Sequence, residues 1–243
     1  MRNYEEEFRL RVQFIKDLVA SSGVDGIIFG NSGGKDSALV GILCKAACHN
    51  TVGVIMPCSS KRNFGEDLDD GMAVARQFDI ETRTIDLTAQ KDLAVQTLSQ
   101  HCTLNQAATS NIAPRLRMLT LYTIAASEGR LVAGTGNRSE GYMGYYTKWG
   151  DGAYDFNPIS DLTATEVFAF LAYLKAPDHI LTKAPSAGLF EGQTDEQEMG
   201  VSYAAIDRYL LTGQAEPQDL AVIDRFHRRS EHKRLGPAHY RKV

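Results

Sequence analysis

The sequence predicts an α/β fold, an open doubly wound parallel sheet with helices on both faces. Short apolar runs of strand length alternate with stretches of helical periodicity along the first half of the chain. The runs are nearly continuous in apolar residues, as strands covered on both faces are. The segments between them are long enough for right-handed helical crossovers.

Residues 4–20 place Phe8, Leu10, Val12, Phe14, Ile15, Leu18 and Val19 at helical spacing and close on Ser21-Ser22-Gly23, a helix with its stop signal. Gly26-Ile27-Ile28-Phe29-Gly30 reads as the first buried strand, and a glycine-rich turn, Asn31 to Gly34, leads into a helix over about 36–48. The unit repeats as a strand over 51–56, a helix over about 66–78, a strand over 81–87 and a helix over about 89–100. A longer helix, about 106–128, precedes a strand over 130–133. From Gly134 to Gly152 the chain is rich in glycine and aromatic residues, a composition that belongs to a site more than to a scaffold. Helices resume at 163–175, 202–211 and 217–229, while the polar stretch 183–200, with Gly188 and Gly192, reads as a mobile loop. With neither an internal repeat nor a low-complexity linker, residues 1–243 read as a single domain. It comprises an N-terminal helix, an α/β core over 24–175, the loop, and C-terminal helices with a basic tail over 202–243.

Composition excludes several classes. Hydrophobic residues make up 43% and charged residues 23%, too apolar for a disordered chain. The net charge of −4 provides no global basic field for nucleic acid. No apolar run approaches the roughly 18 residues of a membrane helix, and the acidic start, Met1 to Phe8, is unlike a secretory signal. A cytoplasmic globular protein without membrane contact is expected. Cys44, Cys48, Cys58 and Cys102 have no partner Cys or His pair at metal-ligand spacing, so buried, reduced thiols are expected.

The chemistry is concentrated in Gly30-Asn31-Ser32-Gly33-Gly34-Lys35-Asp36-Ser37, which follows a strand and opens a helix. Helix-terminal N–H groups point outward unpaired, and glycines let a phosphate approach them. The Walker A pattern fails here, because Phe29 stands where its first glycine belongs and Asp36 where its Ser or Thr belongs. The Rossmann spacing fails as well. What remains, Ser-Gly-Gly-x-Asp-Ser, resembles the pyrophosphate (PP) loop of the ATP pyrophosphatases, which cleave ATP between its α and β phosphates. Helix-end effects of about 0.3–2 kcal/mol are too small to hold a departing pyrophosphate. A charged donor such as Lys35 and a hard divalent cation on Asp36 meet that need. Strand 130–133 runs into Gly134-Thr135-Gly136-Asn137-Arg138-Ser139-Glu140. If it lies beside the first strand, both loops emerge at a topological switch point, and Glu140 can face Asp36 across the metal.

Further motifs extend the resemblance. Asn111-Ile112-Ala113-Pro114-Arg115-Leu116-Arg117-Met118, the Gly134-Thr135 to Gly152 segment with Thr147-Lys148-Trp149-Gly150-Asp151-Gly152, Ala184-Pro185-Ser186-Ala187-Gly188-Leu189 with Gln193-Thr194-Asp195-Glu196, and Glu231-His232-Lys233-Arg234 occur in order. Together they resemble the ammonia-dependent, single-domain NAD synthetases, over about Phe14 to His239. The resemblance implies an adenine nucleotide alpha hydrolase-like fold and a two-step ligase reaction. ATP adenylates the nicotinate carboxylate of deamido-NAD, releasing pyrophosphate, and ammonia then displaces AMP. It also implies roles by position. Gly30, Asn31, Ser32, Gly33, Gly34, Lys35, Asp36 and Ser37 hold the ATP phosphates, Thr135 and Ser186 contact ATP, and Met56 borders the adenine. Asp36 and Glu140 bind Mg²⁺; Arg117, Lys148, Asp155, His232 and Lys233 hold deamido-NAD. Asp151 receives a proton from ammonium, because an amine attacks only with a free lone pair. Lys35, Asp36 and Asp151 are thus the catalytic expectations. The implied partners are ATP, deamido-NAD, ammonia (free or from a separate supplying protein) and a second copy in a homodimer, for which the helix over 106–128 is a candidate face.

The same residues have plainer readings. Arg115 and Arg117 also read as surface cations, the tyrosines of 142–146 and Trp149 as packing, and the tail from Arg225 to Lys242 as a solvated basic face or a nucleic-acid contact. Two departures stand out: the ATP-contacting lysine common in the family is replaced by Ala164, with Lys183 as a candidate substitute, and the loop Pro57 to Arg62 is atypical. The alternatives are another PP-loop ATP pyrophosphatase acting on tRNA, and a non-catalytic adenine-nucleotide-binding protein.

Overall fold

The computed structural model describes residues 2–59, 61–183 and 194–240. In chain order its elements begin with α1 (Tyr4–Ser22), β1 (Gly26–Gly30), α2 (Lys35–Ala47), β2 (Thr51–Ile55), α3 (Lys61–Phe64), α4 (Glu66–Gln77) and β3 (Glu81–Thr84). They continue with α5 (Thr88–Ser99), α6 (Gln106–Ser110), α7 (Ile112–Glu128), β4 (Arg130–Ala133) and α8 (Arg138–Met143). The remainder is helical: α9 (Ala164–Tyr173), α10 (Asp178–Thr182), α11 (Asp195–Met199), α12 (Tyr203–Thr212), α13 (Pro217–Arg229) and α14 (Glu231–Arg234).

The sheet is parallel with order β3-β2-β1-β4. Alternation along β1 serves both faces. Ile27 and Phe29 join Ile15, Leu39, Leu43 and Phe170 in a core under α1, α2 and α9, while Ile28 joins Val52, Val54, Leu121 and Ala125 under α7. Each such side chain contributes roughly 1.5–3 kcal/mol of burial. The chain winds outward from β1 through β2 to β3, then returns through α7 to place β4 on the other side of β1. The conditional expectation for the strand order is therefore met, and the switch point lies between the carboxyl ends of β1 and β4. A third cluster, with Met143, Met199, Tyr203, Ile206 and Ile223, joins α8, α11, α12 and α13 to this frame.

The structure corrects several element boundaries. The helix expected over 106–128 breaks at Asn111, because Pro114 in the first turn of α7 has no N–H to donate back toward Ser110. The third strand ends at Thr84, not residue 87, and the Asp86 carboxylate accepts from the Thr88 N–H (2.8 Å) to open α5. Within the stretch read as a loop over 183–200, residues 195–199 form α11, closed by Gly200 at φ +75°; residues 184–193 lie outside the described residues. The thiols also differ from expectation. Cys44 and Cys58 are buried, Cys48 is half-buried and Cys102 is exposed, following a helix, α5, that buries none of its residues.

Asp207 on α12 joins three helices. Its carboxylate accepts from Ser139 Oγ on α8 and from the Thr165 N–H in the first turn of α9 (2.7 Å), while Ser139 Oγ also accepts from the Ala164 N–H (3.1 Å). Asp207→Ala leaves buried donors unpaired at a cost of about 1–3 kcal/mol. Thermal melts should show a fall of roughly 2–4 °C per kcal/mol; an unchanged melting temperature would refute this account.

Candidate active site

The turn from Gly30 to Gly34 delivers the chain from the end of β1 to the first turn of α2, whose N–H groups face the switch point. Its hydroxyls bind within the turn: Ser37 Oγ accepts from the Ser32 N–H (3.2 Å) and donates to the Gly34 carbonyl (3.0 Å). Asn31 is buried and its amide donates to the Gly71 carbonyl (3.0 Å), tying the turn to α4. Gly33 lies at φ +71°, and a Cβ there would come within 2.1 Å of the Asp67 carbonyl oxygen. Gly33→Ala should therefore push α4 off the loop, costing more than about 1 kcal/mol and raising KM for ATP. Nucleotide titration checks this; unaltered ATP affinity would contradict it.

Three carboxylates surround the Lys35 ammonium. Its Nζ lies 2.5 Å from Asp36 Oδ2. Burial pulls its pKa down, but the charges of Asp36, Glu140 and Asp195 outweigh burial and hold it above the ordinary lysine value. Glu140 owes its place to a capping box at the start of α8. Asn137 Oδ1 accepts from the Glu140 N–H (3.0 Å), and Glu140 Oε2 accepts from the Asn137 N–H (3.0 Å). Asn137 then donates from Nδ2 to Asp36 Oδ1 (3.0 Å), so one side chain links the two acids across the β1–β4 edge. Burial first, and the Asp36 charge second, push the Glu140 carboxyl well above the usual carboxylate range. Asp195, buried at the start of α11, accepts from Tyr203 Oη (3.1 Å).

A cavity of about 1170 Å³ opens from this centre. It brings together Gly30, Asn31, Ser32, Gly34, Lys35, Asp36, Ser37, Met56, Arg117, Thr135, Glu140, Asp151 and Lys233. Gly33 is in the turn but backs onto α4. Arg117 is not the surface cation of the plainer reading. Its Nε donates to the Met56 carbonyl (3.1 Å), and burial lowers its pKa. Asp151 accepts from the Thr147 N–H (2.9 Å), and burial raises its pKa despite Arg117 and Lys233. Lys233 donates to the carbonyls of Gly144 (2.7 Å) and Tyr146 (2.6 Å), and desolvation lowers its pKa.

Three expected residues lie off this cavity. Lys148 Nζ donates to the His232 carbonyl (2.5 Å), His232 is exposed, and the Asp155 carboxylate accepts from the Val132 N–H (2.8 Å) and Tyr122 Oη (3.2 Å). Ser186 lies outside the described residues. Lys183, the candidate substitute, is at the loop's edge, with Nζ 2.8 Å from Asp67 Oδ1, 2.5 Å from Asp70 Oδ2 and 3.4 Å from the Gly33 carbonyl. The sequence reading missed Asn137 and Asp195. The Asn-x-x-Glu spacing was a usable signal for Asn137; Asp195 stood inside the Gln193-Thr194-Asp195-Glu196 motif without a role assigned to it.

Comparison with known proteins places the whole chain among relatives of one kind. The family model described as NAD synthase matches residues 7–237. The chain is 44% identical over 239 residues to the NH(3)-dependent NAD(+) synthetase of Carboxydothermus hydrogenoformans, covering 97% of each. Among solved structures it resembles an NMN synthetase from Francisella tularensis, with a TM-score of 0.93 and 35% identity over 99% of both chains. It also resembles an NH3-dependent NAD synthetase from Campylobacter jejuni, with a TM-score of 0.80 and 28% identity over 99% of this chain and 100% of that one. With a family model matched over residues 7–237 and a relative 44% identical over nearly its full length, this chain belongs to the NAD synthase family.

Proposed function

We propose that the chain joins ammonia to the nicotinate carboxylate of deamido-NAD at the expense of ATP, giving NAD, AMP and pyrophosphate through an acyl-adenylate. The observation that carries this reading is the meeting of the Lys35–Asp36 turn with Glu140 at one end of a cavity that also holds Arg117, Asp151 and Lys233. A carboxylate is a poor acyl donor because its leaving group would be oxide, and adenylation supplies a better one. The carboxylate oxygen attacks the α-phosphorus, and pyrophosphate leaves toward the N–H groups of α2 and the Lys35 ammonium, where its charge is taken up. Arg117 and Lys233 orient the acid nucleotide. Asp151 draws ammonium into the cavity and accepts its proton as the nitrogen attacks the acyl carbon and AMP departs.

Mg²⁺ fits the donor set. Asp36 and Glu140 are hard oxygen donors whose mutual repulsion a cation relieves, and one or two carboxylates plus substrate phosphates are its usual ligands. Asp36 and Glu140 would hold it, and it would neutralise phosphate charge. A homodimer is part of the proposal, supported by the exposed stripe of Leu119, Thr123 and Ala126 on α7.

With ATP, Mg²⁺, ammonium and deamido-NAD, the protein should form NAD and AMP in equal amounts. ADP as the product, or AMP without amide, would refute the reading. A second reading, amidation of nicotinate mononucleotide to NMN, draws on the likeness to the Francisella structure. The ratio of kcat/KM for the two acids separates them.

A further inference from the structure

The cavity wall farthest along the chain from the phosphate loop is built by α13 and α14; the reaction above uses Lys233 of α14 and leaves the arginines of α13 without a role. Arg225 and Arg229, four residues apart on α13 and so on one face, both line the cavity. Among the described residues neither guanidinium has an ion-pair partner. All three arginines of this stretch are exposed, but Arg228, between the other two, does not line the cavity and pairs with Asp224 at 3.5 Å. The nearby Glu198 carboxylate accepts from Tyr145 Oη (2.6 Å).

This wall is firmly seated on the segment that bears Glu140. His227 stacks on Tyr142 with ring centroids 4.0 Å apart, Ser230 Oγ donates to the Met143 carbonyl (3.2 Å), and Lys233 binds the Gly144 and Tyr146 carbonyls. Gly144, at φ +65°, leaves room for Ser230, whose Cβ would lie 2.0 Å from any Cβ at that position. The backbone that carries the two exposed arginines therefore keeps its place relative to the acidic centre, with their guanidiniums free to reach into the cavity they line.

An acid co-substrate that presents its carboxylate near Asp151 and Lys35 must dispose of its own phosphate elsewhere in the same cavity. Planar guanidiniums bind phosphate through paired, charge-assisted hydrogen bonds. We propose that Arg225 and Arg229 form the subsite for the phosphate of the carboxylate-bearing nucleotide, distinct from the turn that holds the phosphates of ATP. The proposal rests on the amidation reading. Its ligand chemistry is a nucleotide phosphate, supplied either by the monoester of nicotinate mononucleotide or by the diphosphate of deamido-NAD.

The test compares the full-length protein with Arg225→Gln, Arg229→Gln, their double variant and Arg228→Gln, using nicotinate mononucleotide, deamido-NAD and the phosphate-free nicotinate riboside. The double variant should raise KM for a phosphorylated acid by about tenfold or more, the loss of roughly one charge-assisted contact. KM for ATP should stay within about twofold, Arg228→Gln should behave as wild type, and the loss should be confined to the phosphorylated acids. A larger loss with the mononucleotide identifies the monoester as the ligand; a larger loss with deamido-NAD identifies the diphosphate. Equal losses with the riboside, an unchanged KM for both phosphorylated acids, or a raised KM for ATP each overturn the subsite. Calorimetric titration of the acids, which needs no turnover, separates the two claims. Arginine-dependent binding by a wild type that forms no amide sinks the amidation reading alone, whereas turnover indifferent to the arginines sinks the subsite alone.

Discussion

Lys35→Met should unfold far more readily than the wild-type protein and lose nearly all activity. The substitution keeps the aliphatic stem but removes the cation that faces Asp36, Glu140 and Asp195. Removing one member of a buried charge pair costs about 3–5 kcal/mol, because the remaining charge stays buried without compensation. The pH dependence follows from Glu140, whose carboxyl is held above its usual range by burial and by Asp36. A folded-state pKa above the unfolded value gives stability that is present below the unfolded pKa and lost as pH rises through the folded one. Without Lys35 that loss grows, so melts should place the variant near the wild type in acid and well below it at neutral pH. Turnover should fall by about 10²–10³-fold or more, as for loss of a charged donor to a departing anion. A neutral-pH melting temperature equal to that of the wild type would show that the lysine is not needed to balance these acids.

Glu140→Gln should act in opposite directions on the two properties. In the free protein it removes a buried carboxylate beside Asp36 while a side-chain carbonyl can still accept from the Asn137 N–H. A gain of about 1 kcal/mol, or roughly 2–4 °C in a protein of this size, is expected at neutral pH. Amide synthesis at saturating Mg²⁺ should drop by about 10²–10³-fold, since half of the proposed cation-holding pair is gone. Such an exchange of stability for activity is usual where an active site holds like charges together. The double variant Lys35→Met with Glu140→Gln should recover most of the stability lost by the single lysine change and none of its activity. If Glu140→Gln lowers the melting temperature, the carboxylate is a structural cap and not a repelling ligand.

The parts of this site written in contiguous residues were readable from the sequence. The Gly30 to Ser37 turn announces itself because strand, glycines and helix start are all local, and the phosphate chemistry follows from where N–H groups point at a helix terminus. The Asp36–Glu140 meeting was readable only conditionally, because adjacency of β1 and β4 is a tertiary fact that no local pattern carries. Arg117 shows the limit of composition. A cation on a helix reads as solvated, and its burial was decided by a carbonyl at Met56, 61 residues earlier. Asp195 shows it again, since a polar, glycine-bearing stretch resembles a loop until Tyr203 covers its carboxylate. The break at Asn111 was legible in Pro114, which cannot donate back to the preceding turn.

The seam between β1 and β4 has a kinetic meaning as well. Asn137 and Asp36 are 101 residues apart in the chain, and only the arrival of the last strand beside the first brings them into register. Such distant parallel pairings are slow to form. During refolding, recovery of ligase turnover should therefore lag behind the return of helical circular dichroism, timing the moment at which the sheet receives its outermost member.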